Sequence, residues 1–250
     1  MVYYSLIRYI QTAQPKWLYF LAISFAIGFL NKYNIVFCLL GLLPALILSK
    51  HRKLFTKPEF YFSLVLTFSL ISPNLIWQIE NDFPILKHMK ELAETQLVHV
   101  SRIGFLKEQF FFFIGSIFIL MVAFIGFFSY APFTPFRLLF WAYLFTIAIF
   151  MFFKAKAYYA IGLYPIFFAF GATYLSILLQ QGWKFYLRPV AIVIILFFGF
   201  VTIETSLPIY TPSTYFQFAK EGKPFSSHTW EDGKKHFISQ DFADMLGWKE

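Results

Sequence analysis

Seven apolar runs dominate the chain of 250 residues and leave it few ways to fold. They lie near residues 16–30, 33–49, 59–77, 110–130, 138–153, 160–179 and 189–207. A helix crossing the hydrocarbon of a bilayer needs roughly 20 mainly apolar residues. Lipid offers no partner to an unpaired backbone, so unbroken runs of this kind are helical. None shows the period-2 alternation of an outer-membrane barrel strand. The first, second and fifth runs are short for a full crossing. Composition agrees: 59% of residues are hydrophobic and 14% charged, against ~45–50% and ~25% in soluble domains. The fold class that follows is all-α, a polytopic transmembrane bundle of about seven spans. Soluble and disordered classes are excluded, and the single cysteine, Cys38, excludes an internal disulfide.

The net charge of +8 does not point to nucleic acid, because basic residues flanking apolar spans are the ordinary mark of membrane topology. Lys50, Arg52, Lys53 and Lys57 crowd the loop after the second run, which is therefore expected in the cytoplasm. Alternation from there puts Arg8, Lys16, Arg137, Lys184 and Arg188 on the same side, nine basic residues against one acid, Glu59. The other twelve acids fall outside, together with Lys87, Lys90, Arg102 and Lys107 of the loop 78–109. The expected result is a multi-pass protein of the plasma (inner) membrane, its amino terminus cytoplasmic and its carboxyl terminus external.

The chain divides into a bundle, residues 1–207 with the external loop 78–109, and a polar tail, residues 208–250. The tail is punctuated by Pro208, Pro212, Gly222, Pro224 and Gly233 and reads as the start of an external domain. Its last segment, Phe237 to Trp248, has the pattern of an amphipathic helix closed by Gly247. At the other end, Met1–Gln11 lacks the n-region, h-region and cleavage site of a signal peptide. Tyr3, Tyr4, Leu6, Ile7, Tyr9 and Ile10 suit either an interfacial helix or the cytoplasmic end of a span.

The span centres carry no ionisable residue, which argues against ion-coupled transport. Ionisable residues gather instead at the external ends. Gly28-Phe-Leu-Asn31-Lys32-Tyr33-Asn34 makes a tight connection whose Lys32 is either a snorkelling lysine beside a tyrosine of the aromatic belt or an ammonium facing a lipid phosphate. Lys154-Ala-Lys156-Ala-Tyr158-Tyr159 places two lysines where the positive-inside tendency would not. Lysines with tyrosine hydroxyls can cradle a phosphate, and snorkelling accounts for the same string. In the loop 78–109, His88 and Glu91 are three apart on an expected helix and, with Arg102, could form an acceptor or loop site. A solvated helix lying on the membrane accounts for them equally. No metalloprotease, serine-hydrolase, nucleotide-binding or dinucleotide signature occurs, and neither a metal nor a cofactor is expected.

The order of these segments resembles the membrane glycosyltransferases of family 39, relatives of protein O-mannosyltransferases and of the lipid A aminoarabinose transferase. Gly28-Phe-Leu-Asn31-Lys32-Tyr33 is similar to the family's glycine, apolar pair, T-K-Y segment, with Asn31 in place of threonine. Ser72-Pro73-Asn74-Leu75-Ile76-Trp77 resembles its S-P-x-x-I-W. Lys156-Ala-Tyr158-Tyr159, continuing to Tyr164-Pro165 and Gly171-Ala172, resembles its K-x-Y-Y…Y-P…G-A stretch. Gln240-Asp-Phe242-Ala243-Asp244-Met245-Leu-Gly247-Trp248 resembles its Q-x-F-A-D-M-F-G-W.

This resemblance implies a GT-C fold and transfer of a sugar from a polyprenyl-phosphate donor to an unknown acceptor at the external membrane face. It implies that Lys32, Tyr33, Lys154, Lys156, Tyr158 and Tyr159 bind the donor phosphate, with membrane lipids as further partners and no nucleic acid. The family's general base is an aspartate in the first external loop. Here the first acid is Glu59, on the expected cytoplasmic side, so no catalytic residue is assigned. The expectation is an internal piece of a longer enzyme, inactive alone. A polyprenol-phosphate or lipid carrier needs the same cradle without a catalytic carboxylate, and a non-catalytic membrane scaffold needs neither.

Overall fold

The computed structural model describes residues 1–207, 209–221, 228–230 and 233–245. The helices of the bundle are α1 (Val2–Thr12), α2 (Lys16–Asn31), α3 (Ile35–Ile47), α4 (Pro58–Glu80), α5 (Pro84–Thr95), α6 (Arg102–Phe111), α7 (Ile117–Ser129), α8 (Arg137–Phe152), α9 (Tyr164–Leu178) and α10 (Leu187–Ser206). The tail adds α11 (Pro212–Lys220), an antiparallel pair of strands, β1 (His228–Thr229) and β2 (Lys235–His236), and α12 (Gln240–Ala243). The bundle is an all-α, polytopic one, as the apolar runs require.

Span lengths differ from the sequence expectation. Residues Pro58–Glu80, Ala131–Phe152, Ala157–Leu178 and Gly182–Ile203 are each long and apolar enough to cross a membrane. Lys16–Asn31 and Ile117–Ser129 are shorter apolar helices. The 16 residues of α2 span about 24 Å at 1.5 Å per residue, short of a hydrocarbon core of ~30 Å. The second run ends with α3, after which the chain bends by 107° into a 3-10 turn, Lys50–Thr56, in the basic loop. The fourth run is interrupted between α6 and α7, where the absent Cβ of Gly115 admits Phe198 of α10, whose Cγ would lie 3.1 Å from a Cβ there. At the amino terminus, Ser5, Leu6 and Ile7 of α1 are buried against the rest of the bundle.

Helices pair through small residues, the arrangement that lets apolar backbones approach in a membrane. Gly41 of α3 meets α8 so closely that a Cβ would stand 2.7 Å from the backbone nitrogen of Thr146. Gly171 of α9 meets the Ile119 carbonyl of α7 in the same way, with the carbonyl carbon 2.9 Å from an added Cβ. Around these contacts Leu42, Leu120, Phe127, Leu139, Phe150 and Phe167 form a continuous core. By contrast, α10 exposes apolar side chains such as Val193, Phe197 and Phe200.

Side-chain contacts sort the helix ends into two groups. At one end the α1–α2 turn sets Arg8 and Lys16 over Trp17, His51 bonds the Pro135 carbonyl at 2.9 Å, Arg137 donates to the carbonyls of Phe127 and Phe128, and Arg188 donates to Ser176. The other end gathers the α2–α3 connection, the end of α4, helices α5 and α6, and the segment between α8 and α9.

The tail elements pack on one another. Tyr215 of α11 meets Phe242 of α12, and Trp230 Nε1 donates to the Ile238 carbonyl at 2.7 Å. The amphipathic segment expected from Phe237 to Trp248 is helical over Gln240–Ala243; Gly247 and Trp248 lie outside the described residues, as do Pro208, Gly222 and Pro224.

Candidate functional site

Three of the resembling segments meet at the second end of the bundle. Lys32 leaves α2 in extended conformation, its backbone N–H still bonded to the Gly28 carbonyl at 2.8 Å. Its ammonium sits 5.0 Å from the ring centroid of Tyr158 and 4.6 Å from that of Tyr159. Those two rings meet edge to face at 4.8 Å and present π-faces to the cation, a favourable electrostatic contact.

Tyr33 is held from α4. Its hydroxyl donates to Asn74 Oδ1 at 2.8 Å and accepts from Gln78 Nε2 at 3.0 Å. The Ser72-Pro73-Asn74 sequence explains why α4 can offer that contact. Proline lacks the N–H that would bond four residues back, leaving the Ser69 carbonyl without its helical donor, and the Ser72 hydroxyl supplies one at 2.9 Å. Gln78 also accepts from the backbone N–H of Ile85, tying the site to the start of α5.

The third segment begins where α8 ends. Lys154 has φ 52°, in the left-handed region that side-chain-bearing residues seldom occupy. Its N–H bonds the Met151 carbonyl at 3.3 Å, and Ala155 N–H reaches back to Phe150 at 2.8 Å, a helix-closing pattern usually built on glycine. Beyond it Ala155, Ala157 and Ala160 are buried, while Lys154, Lys156 and Tyr159 are half-buried and Tyr158 is exposed. Small residues anchor the strip, and the polar side chains remain at its surface.

Neighbours fix this strip in place. Lys156 Nζ donates to Gln96 Oε1 at 2.7 Å, and Arg102 Nε donates to the Met151 carbonyl at 3.0 Å. Buried Gln109 of α6 donates to the Ala157 carbonyl at 2.9 Å and accepts from the Tyr164 hydroxyl at 2.8 Å. Tyr164 in turn meets Tyr143 at 3.1 Å. Partial burial holds the neighbouring Glu108 carboxyl above the usual carboxylate range. Gln78, Gln96, Gln109, Tyr143 and Tyr164 thus complete a site that the sequence assigned only to lysines and tyrosines. A glutamine at the edge of an apolar run, as Gln78 and Gln109 are, is the signal that marks two of them.

The structure brings Lys32, Tyr33, Tyr158 and Tyr159 together, and ties Lys156 and Arg102 to the same region. Lys154 lies just past the end of α8, two residues before Lys156. His88 and Glu91 are exposed on α5, apart from this arrangement. Among the described residues the Lys90–Glu94 pair is the one ion pair, so neither Lys32 nor Lys154 has a carboxylate partner there. Three or more metal-ligating side chains are nowhere grouped among the described residues.

An all-α bundle whose helices are long and apolar enough to cross a membrane, with a cationic, tyrosine-lined end, defines a multi-pass membrane protein. Residues 1–77 match the family model described as dolichyl-phosphate-mannose-protein mannosyltransferase. That match covers 77 of the 250 residues and makes this first part of the chain similar to the protein mannosyltransferases. It takes in Gly28–Tyr33 and ends at Trp77, so Lys154–Tyr159 and the tail lie beyond it. No curated protein and no solved structure matches the chain.

Proposed function

We propose that this bundle end holds the phosphate of a polyprenyl-phosphate sugar donor, at the external face of the plasma (inner) membrane, in a glycosyltransferase that passes the sugar to an acceptor. The observation that carries this reading is the seating of the Lys32 ammonium on the rings of Tyr158 and Tyr159, beside Lys154 and Lys156. Lys32 and Lys154, which have no carboxylate partner among the described residues, suit a lipid-linked anion. The lysines and tyrosine hydroxyls would stabilise the charge that grows on the lipid phosphate as the glycosidic bond breaks.

Orientation follows in the same proposal. The nine basic residues of the opposite end face the cytoplasm, and residues 208–250 begin an external domain. Gly233 of the tail supports that placement, because a Cβ there would stand 2.8 Å from Nδ1 of His99 in the loop 78–109.

The acceptor hydroxyl needs a general base, and residues 1–58 contain no carboxylate. We therefore expect this chain alone to bind the donor without transferring its sugar. The test is binding of polyprenyl phosphate by the purified chain, alongside transfer from a polyprenyl-linked sugar. Binding that Lys154→Ala and Lys156→Ala weaken supports the reading. Binding unchanged by both moves the chain to a scaffold role. Movement of labelled lipid across vesicles with the glycosidic bond intact moves it to a carrier.

A further inference from the structure

The basic end holds a cavity of about 200 Å³ that the donor site does not use. Its apolar lining comes from Leu6 and Ile10 of α1, Ala13 just after that helix and Leu54 of the 3-10 turn Lys50–Thr56, and Tyr9 and His51 line it as well. Lys50, Lys53 and Lys57 line its rim. A free basic loop would present those lysines to water in no fixed arrangement. This one is pinned. Ser49 accepts from the His51 backbone N–H and donates to the Leu46 carbonyl. The His51 ring reaches Pro135, Thr56 caps the Lys53 carbonyl, and Tyr61 donates to the Phe55 carbonyl at 2.8 Å. Leu54 is buried beneath. The 107° bend after α3 folds the turn back beside α1 and produces the concavity.

None of Lys50, Lys53 and Lys57 forms an ion pair among the described residues. Glu59, in the first turn of α4, is the one carboxylate at this end. A cationic rim over an apolar lining, at the end of a bundle of membrane-crossing helices, is complementary to one kind of molecule: a negatively charged head on hydrocarbon tails.

We propose that this cavity binds the phosphate headgroup of an anionic membrane phospholipid, with Lys50, Lys53 and Lys57 around the phosphate and Leu6, Ile10 and Leu54 against the first acyl carbons. The bound lipid clamps α1 to the α3–α4 turn. This assignment is independent of the donor site, which lies at the opposite end.

The experiment is native mass spectrometry of the full chain in mild detergent, titrated with dioleoylphosphatidylglycerol or with dioleoylphosphatidylcholine. The wild type should retain one phosphatidylglycerol in preference to phosphatidylcholine. Substituting alanine at Lys50, Lys53 and Lys57 together should weaken retention on the order of a hundredfold, and Lys53→Ala alone roughly fivefold. The single variant keeps the test decisive if the triple one does not fold. Lys→Arg at the same three positions should preserve retention, as should Lys154→Ala with Lys156→Ala at the far end. Equal retention of the two lipids, or retention unchanged by the alanine substitutions, overturns the proposal. So does capture of inorganic phosphate in place of the lipid, which would make the cavity a free-anion site.

Discussion

The ammonium of Lys32, at the end of α2, lies 4.6 Å from the ring centroid of Tyr159, beyond the end of α8. Two segments far apart in sequence thus share one cation, and the site depends on both. Replacing Tyr159 by leucine should weaken polyprenyl-phosphate binding about threefold, the effect of an exposed cation–π contact of about 0.5–1 kcal/mol. Tyr159→Phe keeps the ring and should retain that portion. Equal losses for the two variants would show that the hydroxyl, and not the ring, matters.

Lys154 occupies a left-handed backbone conformation, at a strain on the order of 1 kcal/mol. Lys154→Gly should raise the melting temperature in detergent while lowering affinity for polyprenyl phosphate. Opposite signs in the two measurements are the signature of a residue kept for function. A variant that loses both stability and binding would make the turn a purely structural feature.

Gln109 is 6% exposed and bonds both the Ala157 carbonyl and the Tyr164 hydroxyl. Gln109→Leu removes the side-chain donor to the Ala157 carbonyl and leaves the Tyr164 hydroxyl with Tyr143 alone, at about 1–3 kcal/mol for a buried group left unsatisfied. Thermal melts should show a clear loss of stability, and lipid-phosphate binding should fall with the loosened Ala157–Leu163 segment. Tyr164→Phe removes one hydroxyl and should lose less. A melt of Gln109→Leu indistinguishable from wild type would show that this network does not hold the strip.

Gly41→Val places side-chain carbon against the Thr146 backbone, where a Cβ would stand 2.7 Å from the nitrogen. Helices α3 and α8 must separate, at ~1–3 kcal/mol or more. Gly199→Val on α10, where an added Cβ meets nothing within 4 Å, should be near neutral. A tolerated Gly41→Val would mean that the two helices are not in close contact.

Much of this architecture is legible in the sequence because lipid leaves the backbone one solution and puts basic residues at one end. Gly28–Tyr33, Ser72–Trp77 and Lys156–Tyr159 could each be picked out as unusual strings. That Tyr33 bonds Asn74, and that Lys32 sits on Tyr158 and Tyr159, could not, since both pairings depend on how four helices stack. Span lengths were less legible still. The break before α7 comes where Phe198 fills the space beside Gly115, which the apolar runs do not record, while the basic loop marked the end of the second run but not the 107° bend there. Gln96 was hidden for another reason: it lies in a polar loop where nothing in its surroundings distinguishes it from His88 or Glu91, which stay apart from the site.

The most direct test is the dissociation constant of polyprenyl phosphate for the full chain, compared with a variant carrying Lys32→Ala, Lys154→Ala and Lys156→Ala. Hydrogen bonds to charged groups contribute about 1.5–3 kcal/mol each, so the combined substitution should weaken binding by a hundredfold or more, with helix content and melting behaviour preserved. Alanine at Lys50, Lys53 and Lys57 should leave this affinity intact. Equal affinity of the wild type and the Lys32, Lys154, Lys156 variant would contradict a donor-phosphate site at this end of the bundle.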